Sequence, residues 1–350
     1  VNFPVRFLLP ENREHGKKAE MLMIKFFKSD ETKRMTQILQ FEEGCWVDLI
    51  NPTDDEVEDV GGFTGISEEM LKAALDEEET ARVEWDEGNF MCLLDTPIMM
   101  DADDGDMYET IPMALIYNKK CVVTVSLHGN PVLGDFVSNR VGVGTADPVF
   151  FILNFMMGNA KKFLSSLRQI DKKSLRVQAE LHRSMKNKEL IQLLGLENSL
   201  VYFSTSLSAN LNVYNKMERM PVIGKNEAYK DLFDDVVIET RQATEMCNIY
   251  RDILSGTMDA YASIISNNVN IVMKLLTVIT FIVSIPTLIA SLWGMNVKVP
   301  FTSITGGFWI IIGICVAVTA VVSYFIMRAT NSIRIKTPKP IKRKRRGGGH

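Results

Sequence analysis

The chain of 350 residues is 46% hydrophobic, enough material for one large or two moderate domains. Its net charge of −4 hides an asymmetry: residues 1–297 carry 29 basic and 43 acidic side chains, a net of −14, whereas ten basic and no acidic residues follow Val297. Five cysteines without paired spacing and four scattered histidines argue against a disulfide framework and against a Cys/His zinc site.

Residues 1–147 read as a mixed α/β domain. Short helices are predicted over 54–60 and 67–76, and strands over 89–95, 110–117 and 121–127, with Asn118-Lys-Lys120 as the hairpin turn between the last two. The run Asp101-Ala-Asp-Asp-Gly-Asp106 looks like a calcium loop at first sight. Its glycine falls at the fifth position rather than the sixth and no glutamate stands at the twelfth, so it reads as a solvated hairpin loop.

From Pro148 the pattern turns helical. Residues 148–194 and 197–217 repeat apolar side chains at spacings of three and four, which predicts a helical hairpin over 148–223, broken by Met220-Pro-Val-Ile-Gly224. A third helix begins near Lys225 and meets no stop before Trp293, so 224–293 forms one element whose apolar positions include Leu232, Val236, Ile249 and Ile253. At 1.5 Å per residue it is roughly 100 Å long, of which only about 30 Å fits a bilayer. The remainder is expected to stand in the cytoplasm as a stalk, and a helix of that length to associate with copies of itself. Pro286 is expected to bend it.

Two stretches near the C-terminal end carry no charge: residues 275–293, 19 in all, and residues 308–327, 20 more. Each matches one hydrocarbon thickness. Basic residues after the second, in 328–350, place that tail in the cytoplasm by the positive-inside rule and near anionic headgroups, rather than on nucleic acid. Two spans then leave the N-terminal part in the cytoplasm as well, with only the loop 294–307 outside the cell's plasma (inner) membrane.

The first span carries a polar stripe. Asn270, Thr277, Thr280, Ser284, Thr287 and Ser291 follow one another at separations of 7, 3, 4, 3 and 4, a single helix face. Arranged about a symmetry axis, these weak dipoles would line a pore and let an ion pass. Met273 on this face and Leu276 beside it form a candidate apolar gate near the cytoplasmic end.

After this stripe comes Trp293-Gly294-Met295-Asn296, then the second span and the basic tail. In this position the tripeptide Gly294-Met295-Asn296 resembles the signature of the CorA family of magnesium transporters, and the approach Asn267–Thr277 and the stretch Tyr250–Gly256 are similar to that family too. The resemblance covers about 148–346 and the N-terminal part only in general character. It implies an α+β fold and a homopentameric funnel with a pore for Mg²⁺ built from the first span, with Co²⁺ or Ni²⁺ as further cargo; an inside-negative potential would drive such a divalent ion inward, and no catalytic constellation stands out, so no enzyme is expected. It makes Gly294, Met295 and Asn296 the outer selectivity filter, the Asn296 carbonyls meeting a hydrated ion through its waters. It also implies closure by Mg²⁺ bound between cytoplasmic domains, with Asp235 aligned to a family carboxylate and Asp234 beside it; the partner carboxylates do not align. Ser284 departs from the apolar methionine of some members, and Trp293 from the commoner tyrosine.

Two other readings compete. A zinc or other divalent-cation transporter of the same superfamily is disfavoured by Met295. An oligomeric membrane-anchored structural protein would explain spans, stalk and tail but neither the hydroxyl stripe nor the tripeptide. No phosphate-cradling glycine loop is evident, so passive influx fits better than pumping.

Overall fold

The computed structural model describes residues 24–100, 107–184, 187–224, 226–296 and 306–332. The acidic run 101–106 and most of the basic tail lie outside these residues. The chain divides into two units, one ending at Met258 and one beginning at Asp259.

The first unit holds a seven-stranded sheet of β1 (Ile24–Ser29), β2 (Met35–Ile38), β3 (Cys45–Ile50), β4 (Arg82–Asp86), β5 (Asn89–Met100), β6 (Met107–Tyr117) and β7 (Cys121–Ser126). Its order is β2-β1-β3-β7-β6-β5-β4. Only β3 and β7 run parallel, Cys45 opposite Cys121 and Ser126 opposite Ile50; every other neighbouring pair is antiparallel. Alternation along each strand feeds two cores. Cys45, Val47, Leu49, Met91 and Leu93 meet α1 (Asp54–Thr64) and α2 (Glu68–Lys72) on one face. Trp46, Phe90, Cys92 and Leu94 meet α3 (Pro131–Val137), α4 (Pro148–Ser184) and α5 (Asn187–Met217) on the other. The predicted helices and the three predicted strands are all present, and β1, β2, β3 and β4 are added to them.

Local chemistry fixes the turns. Thr53 and Glu56 close a reciprocal capping box at the start of α1, and Gly65 ends it at φ 80°, a left-handed conformation that suits glycine. In the β6–β7 hairpin the Asn118 carboxamide accepts from the Lys120 and Cys121 amides at 2.8 and 3.2 Å and donates to Thr64 O at 3.1 Å, tying the turn to α1.

The helical hairpin breaks ten residues earlier than expected: α4 stops at Ser184 and α5 starts at Asn187. Gly195, near the predicted break, lies inside α5. A glycine there costs about 1 kcal/mol relative to alanine, and burial of Leu193, Leu196 and Leu200 around it outweighs that. A single turn, α6 (Pro221–Gly224), leads into α7 (Glu227–Trp293), an unbroken helix of 67 residues with Pro286 inside it. In the first unit α7 buries Phe233, Val236, Thr240, Ala243, Cys247 and Leu254, spaced by three, four or seven. Of the apolar positions named above, Val236 is buried and Leu232 half-buried, but Ile249 and Ile253 are exposed, because they lie on the side of the helix away from its core contacts.

The second unit contains the rest of α7 and α8 (Gly307–Ser332). Both helices are long and apolar enough to cross a membrane, and none of the most apolar window of α7 is buried. α8 runs five residues past the expected end of the second span.

Candidate functional site

Continuity of α7 from Glu227 to Trp293 puts Asn270, Thr277, Thr280, Ser284, Thr287 and Ser291 on one helical face, all exposed. Met273 and Leu276 are exposed at the start of the span, 55% and 56%. The threonines share one geometry. The Thr277 hydroxyl donates to Met273 O at 2.8 Å, Thr280 to Leu276 O at 2.8 Å, and Thr287 to Val283 O at 2.7 Å. Each hydroxyl thus spends its proton on its own helix, and its oxygen keeps lone pairs free to accept. Such a row accepts hydrogen bonds from the outward-pointing protons of a hydrated cation's water shell, without the full negative charge that would hold the ion.

The helix ends at Trp293, and the Gly294 amide still bonds Ala290 O at 2.9 Å. Gly294 is not among the residues of positive φ, so the end of the helix here does not rest on a left-handed backbone. Space is what it supplies: a Cβ at this position would lie 3.2 Å from Ala290 O. Met295 and Asn296 follow as exposed bends. Positive φ falls instead on Gly306, at 101°, whose carbonyl accepts from the Trp309 and Ile310 amides to open α8. The Gly-Gly pair before the apolar run was the signal for it. Lys298 and the rest of 297–305 lie outside the described residues.

Asp234 and Asp235 are exposed on α7, flanked by buried Phe233 and Val236, 35 residues before Asn270. Among the described residues of the single chain no three histidine, cysteine or carboxylate groups converge on one point. Two neighbouring carboxylates supply only part of the oxygen shell that a divalent ion takes. Sequence reasoning missed what holds the start of this helix. Asp147 caps α4 by accepting from the Phe150 amide at 3.0 Å, and the Tyr229 phenol of α7 sits 2.9 and 2.8 Å from its two carboxylate oxygens. Burial, and then Asp147 beside it, push the Tyr229 phenol above its ordinary pKa, which keeps its proton in that bond. Asp147-Pro148 is a readable helix start; nothing in the sequence points to Tyr229.

The cysteines are free thiols. Burial pushes Cys121 and Cys247 up to about 12, which leaves them protonated, without the thiolate a nucleophile or soft-metal ligand needs.

Comparisons with known proteins bear on the family and the fold. The cobalt/magnesium transport protein CorA of Methanocaldococcus jannaschii is 27% identical over 300 residues, covering 81% of this chain and 90% of that protein. The protein of the same description from Thermotoga maritima is 26% identical over 285 residues, covering 78% and 80%. In fold, the complete structure of the CorA magnesium transporter from M. jannaschii superposes with a TM-score of 0.72 at 23% identity, covering 88% of this chain and 98% of that one. The model of a family described as CorA-like Mg²⁺ transporter protein matches residues 41–328. A match that runs from the sheet to the last turns of α8 spans far more than a tripeptide, and by it the chain belongs to the CorA-like Mg²⁺ transporter family.

Proposed function

We propose that this divalent-cation transporter, which is not an enzyme, carries Mg²⁺ inward through a pore lined by the hydroxyl face of α7 in a homopentamer. The observation that carries the reading is the row of back-bonded hydroxyls at Thr277, Thr280 and Thr287, exposed in the single chain. One helix cannot enclose a path, so copies must. Ile238, Ile249 and Ile253, each more than half exposed on the side of α7 away from its core contacts, support association along the cytoplasmic part too. Asn270, Ser284 and Ser291 complete the lining, Met273 and Leu276 narrow it, and Gly294, Met295 and Asn296 form the outer mouth. There the Asn296 carboxamide oxygens meet the waters of the ion, since Mg²⁺ gives up its shell reluctantly.

The domain plan follows: 1–147 and 148–223 in the cytoplasm, 224–293 as stalk and first span, 294–307 outside, 308–327 as second span and 328–350 as cytoplasmic tail near anionic lipid, all in the plasma membrane. An inside-negative potential contributes about 2.3 kcal/mol per charge per 100 mV, so a divalent ion gains about 4.6 kcal/mol. Closure uses Asp235 and Asp234: carboxylates crowded between copies repel until Mg²⁺ bridges them. Co²⁺ and Ni²⁺ are further cargo.

The test is Mg²⁺ uptake into proteoliposomes under an imposed inside-negative potential, wild type against Asn296→Ala. Uptake that follows the potential and collapses in the variant supports the filter. Equal uptake in both removes Asn296 from it. No uptake in either, with oligomers intact and internal Mg²⁺ removed, returns the chain to a membrane anchor.

A further inference from the structure

The end of α8 holds an arrangement that the pore does not use. Four aromatic side chains stand in two pairs near the ends of its apolar stretch: Phe308 with Trp309, ring centroids 5.7 Å apart, and Tyr324 with Phe325, 5.9 Å apart. All four are more than half exposed. Aromatic pairs flanking an apolar helix mark the two headgroup levels of a bilayer. Phe308 and Arg328 are separated by about 30 Å of helical rise, one hydrocarbon thickness, so Arg328 reaches the far boundary when Phe308 sits at the near one. Between them Ile314, Val318, Val321 and Phe325 form one exposed apolar stripe that ends at Arg328. From Val318 to Arg328 the rise is about 15 Å, the depth of one leaflet.

Arg328 does not hang free at that boundary. Its Nη1 donates to the Tyr324 hydroxyl at 3.2 Å, one turn back. That bond aims the guanidinium along the stripe while most of its five donors stay available in the planar fork that fits a phosphate. The Tyr324 hydroxyl, accepting from Arg328, keeps its own proton to donate to a second oxygen of the same phosphate. Nine basic residues and no acidic one lie from Arg328 to the end of the chain.

We propose that Tyr324 and Arg328 form a headgroup site for an anionic glycerophospholipid, with its acyl chain along Phe325, Val321 and Val318. The inference rests on the reading of α8 as a membrane span and gives the lipid contact a place and a geometry. Charge complementarity selects an anionic over a zwitterionic headgroup, and the apolar stripe selects a lipid over a soluble phosphate.

The experiment takes the full chain, delipidated in detergent, and titrates it with phosphatidylglycerol or phosphatidylcholine of the same acyl chains. Retained lipid is counted by native mass spectrometry, and the melting temperature is recorded. Wild type is expected to hold phosphatidylglycerol about fivefold tighter than phosphatidylcholine. Arg328→Gln is expected to lose most of that preference, the other basic residues of the tail keeping the rest, Arg328→Lys to keep more of it by charge alone, and Tyr324→Phe to lose part of it. Inorganic phosphate is expected to protect none of them. Equal retention of the two lipids by wild type, or an undiminished preference in Arg328→Gln, overturns the site; protection by inorganic phosphate makes it an ion site and overturns the lipid. Dissociation of the Arg328→Gln oligomer without any lipid assigns this face to a second copy and overturns it equally. Mg²⁺ uptake is scored separately: its loss with the lipid preference intact breaks the transport reading alone, and a chain that fails to float with liposomes breaks the membrane reading beneath both.

Discussion

The unit ending at Met258 and the helices beyond it solve the same problem in opposite ways. In the first, Trp46, Phe151 and Phe203 are fully enclosed by side chains of one chain, and the buried Thr124 hydroxyl is hydrogen-bonded to Asp48 and Trp46. In the second, the most apolar window of α7 has no buried residue, and its threonines bond their own carbonyls. The sheet unit carries its own core. The spans leave exposed an apolar surface that the single chain does not cover, as suits lipid outside and, on the proposed reading, copies of the same helix inside. Substitutions should therefore divide: those in the sheet unit change stability, and those on the hydroxyl face change flux.

The largest effect expected on this division is from Thr280→Leu with Thr287→Leu. Both replace an outward oxygen by an apolar branch on the face proposed to line the pore, and a dewetted constriction stops ions. Mg²⁺ uptake should fall at least about tenfold while the urea unfolding of the sheet unit stays as in wild type. An anchor without a pore would show no change in either. The converse is Phe203→Ala. Phe203 is fully buried, with Phe163 and Tyr108 at ring-centroid distances of 5.1 and 6.2 Å. Removing it should cost about 3–5 kcal/mol in denaturant unfolding, with uptake per folded oligomer unchanged. If that uptake fell in proportion to the lost stability, the two regions would not be separable as described.

What was legible in the sequence divides along the same line. Strands β5, β6 and β7 lie inside the sheet and are apolar on both faces, so continuous runs disclosed them. Strands β1, β2 and β4 at or near its edges mix exposed polar residues with few buried ones, and no run or alternation marked them. β3 is buried along almost its whole length, yet Asp48 interrupts its apolar run. The break between α4 and α5 was misplaced because a lone glycine weakens a helix less than buried leucines hold it. On α7 the period of three and four was readable, but which of two apolar faces meets the core was not, since that depends on α5. The hydroxyl stripe was legible as a spacing. The direction of its protons was not, because back-bonding is a property of the folded helix. Partners for the Asp234 and Asp235 carboxylates stayed hidden for a further reason: among the described residues of the single chain, no third such group gathers there.

The buried Asp48 sharpens the comparison by pH. It lies on β3 opposite Thr124 of β7, whose hydroxyl donates to it at 2.8 Å while accepting from the Trp46 indole at 2.8 Å. Burial pushes its carboxyl up to about 6, against the smaller opposing effects of the Thr124 hydrogen bond and of Lys25. The folded state therefore holds this proton more tightly than the unfolded chain. The contribution is fully present below about pH 4 and is lost as pH rises through about 6, roughly 3 kcal/mol in all. Asp48→Asn should remove that slope and unfold later than wild type at pH 7. A wild-type profile parallel to that of the variant between pH 4 and 6.5 would place the titration elsewhere. No matching dependence is expected of the Thr280 face, which carries no titrating group.

The smallest effect expected lies where the sheet unit takes hold of α7. The Tyr229 phenol bonds both oxygens of Asp147, which in turn caps α4, so one carboxylate sets the starts of two helices. Tyr229→Phe deletes a hydrogen bond to an ionised acceptor but leaves the cap itself, and should cost about 1.5 kcal/mol. Asp147→Asn keeps a capping oxygen and weakens the same bond, so its cost should be smaller still. Hydrogen exchange separates a local from a global loss: amides in the first turns of α7 should exchange faster in Tyr229→Phe, while those of β3 and β7 speed up only as far as the whole unit loses stability. If the first turns of α7 exchanged as in wild type, the phenol would be a bystander and the helix would be held by Phe233 and Val236 alone. If they opened and uptake also changed, the grip on the start of α7 would reach the pore, and the division between the two regions would have to be redrawn at Tyr229 rather than at Met258.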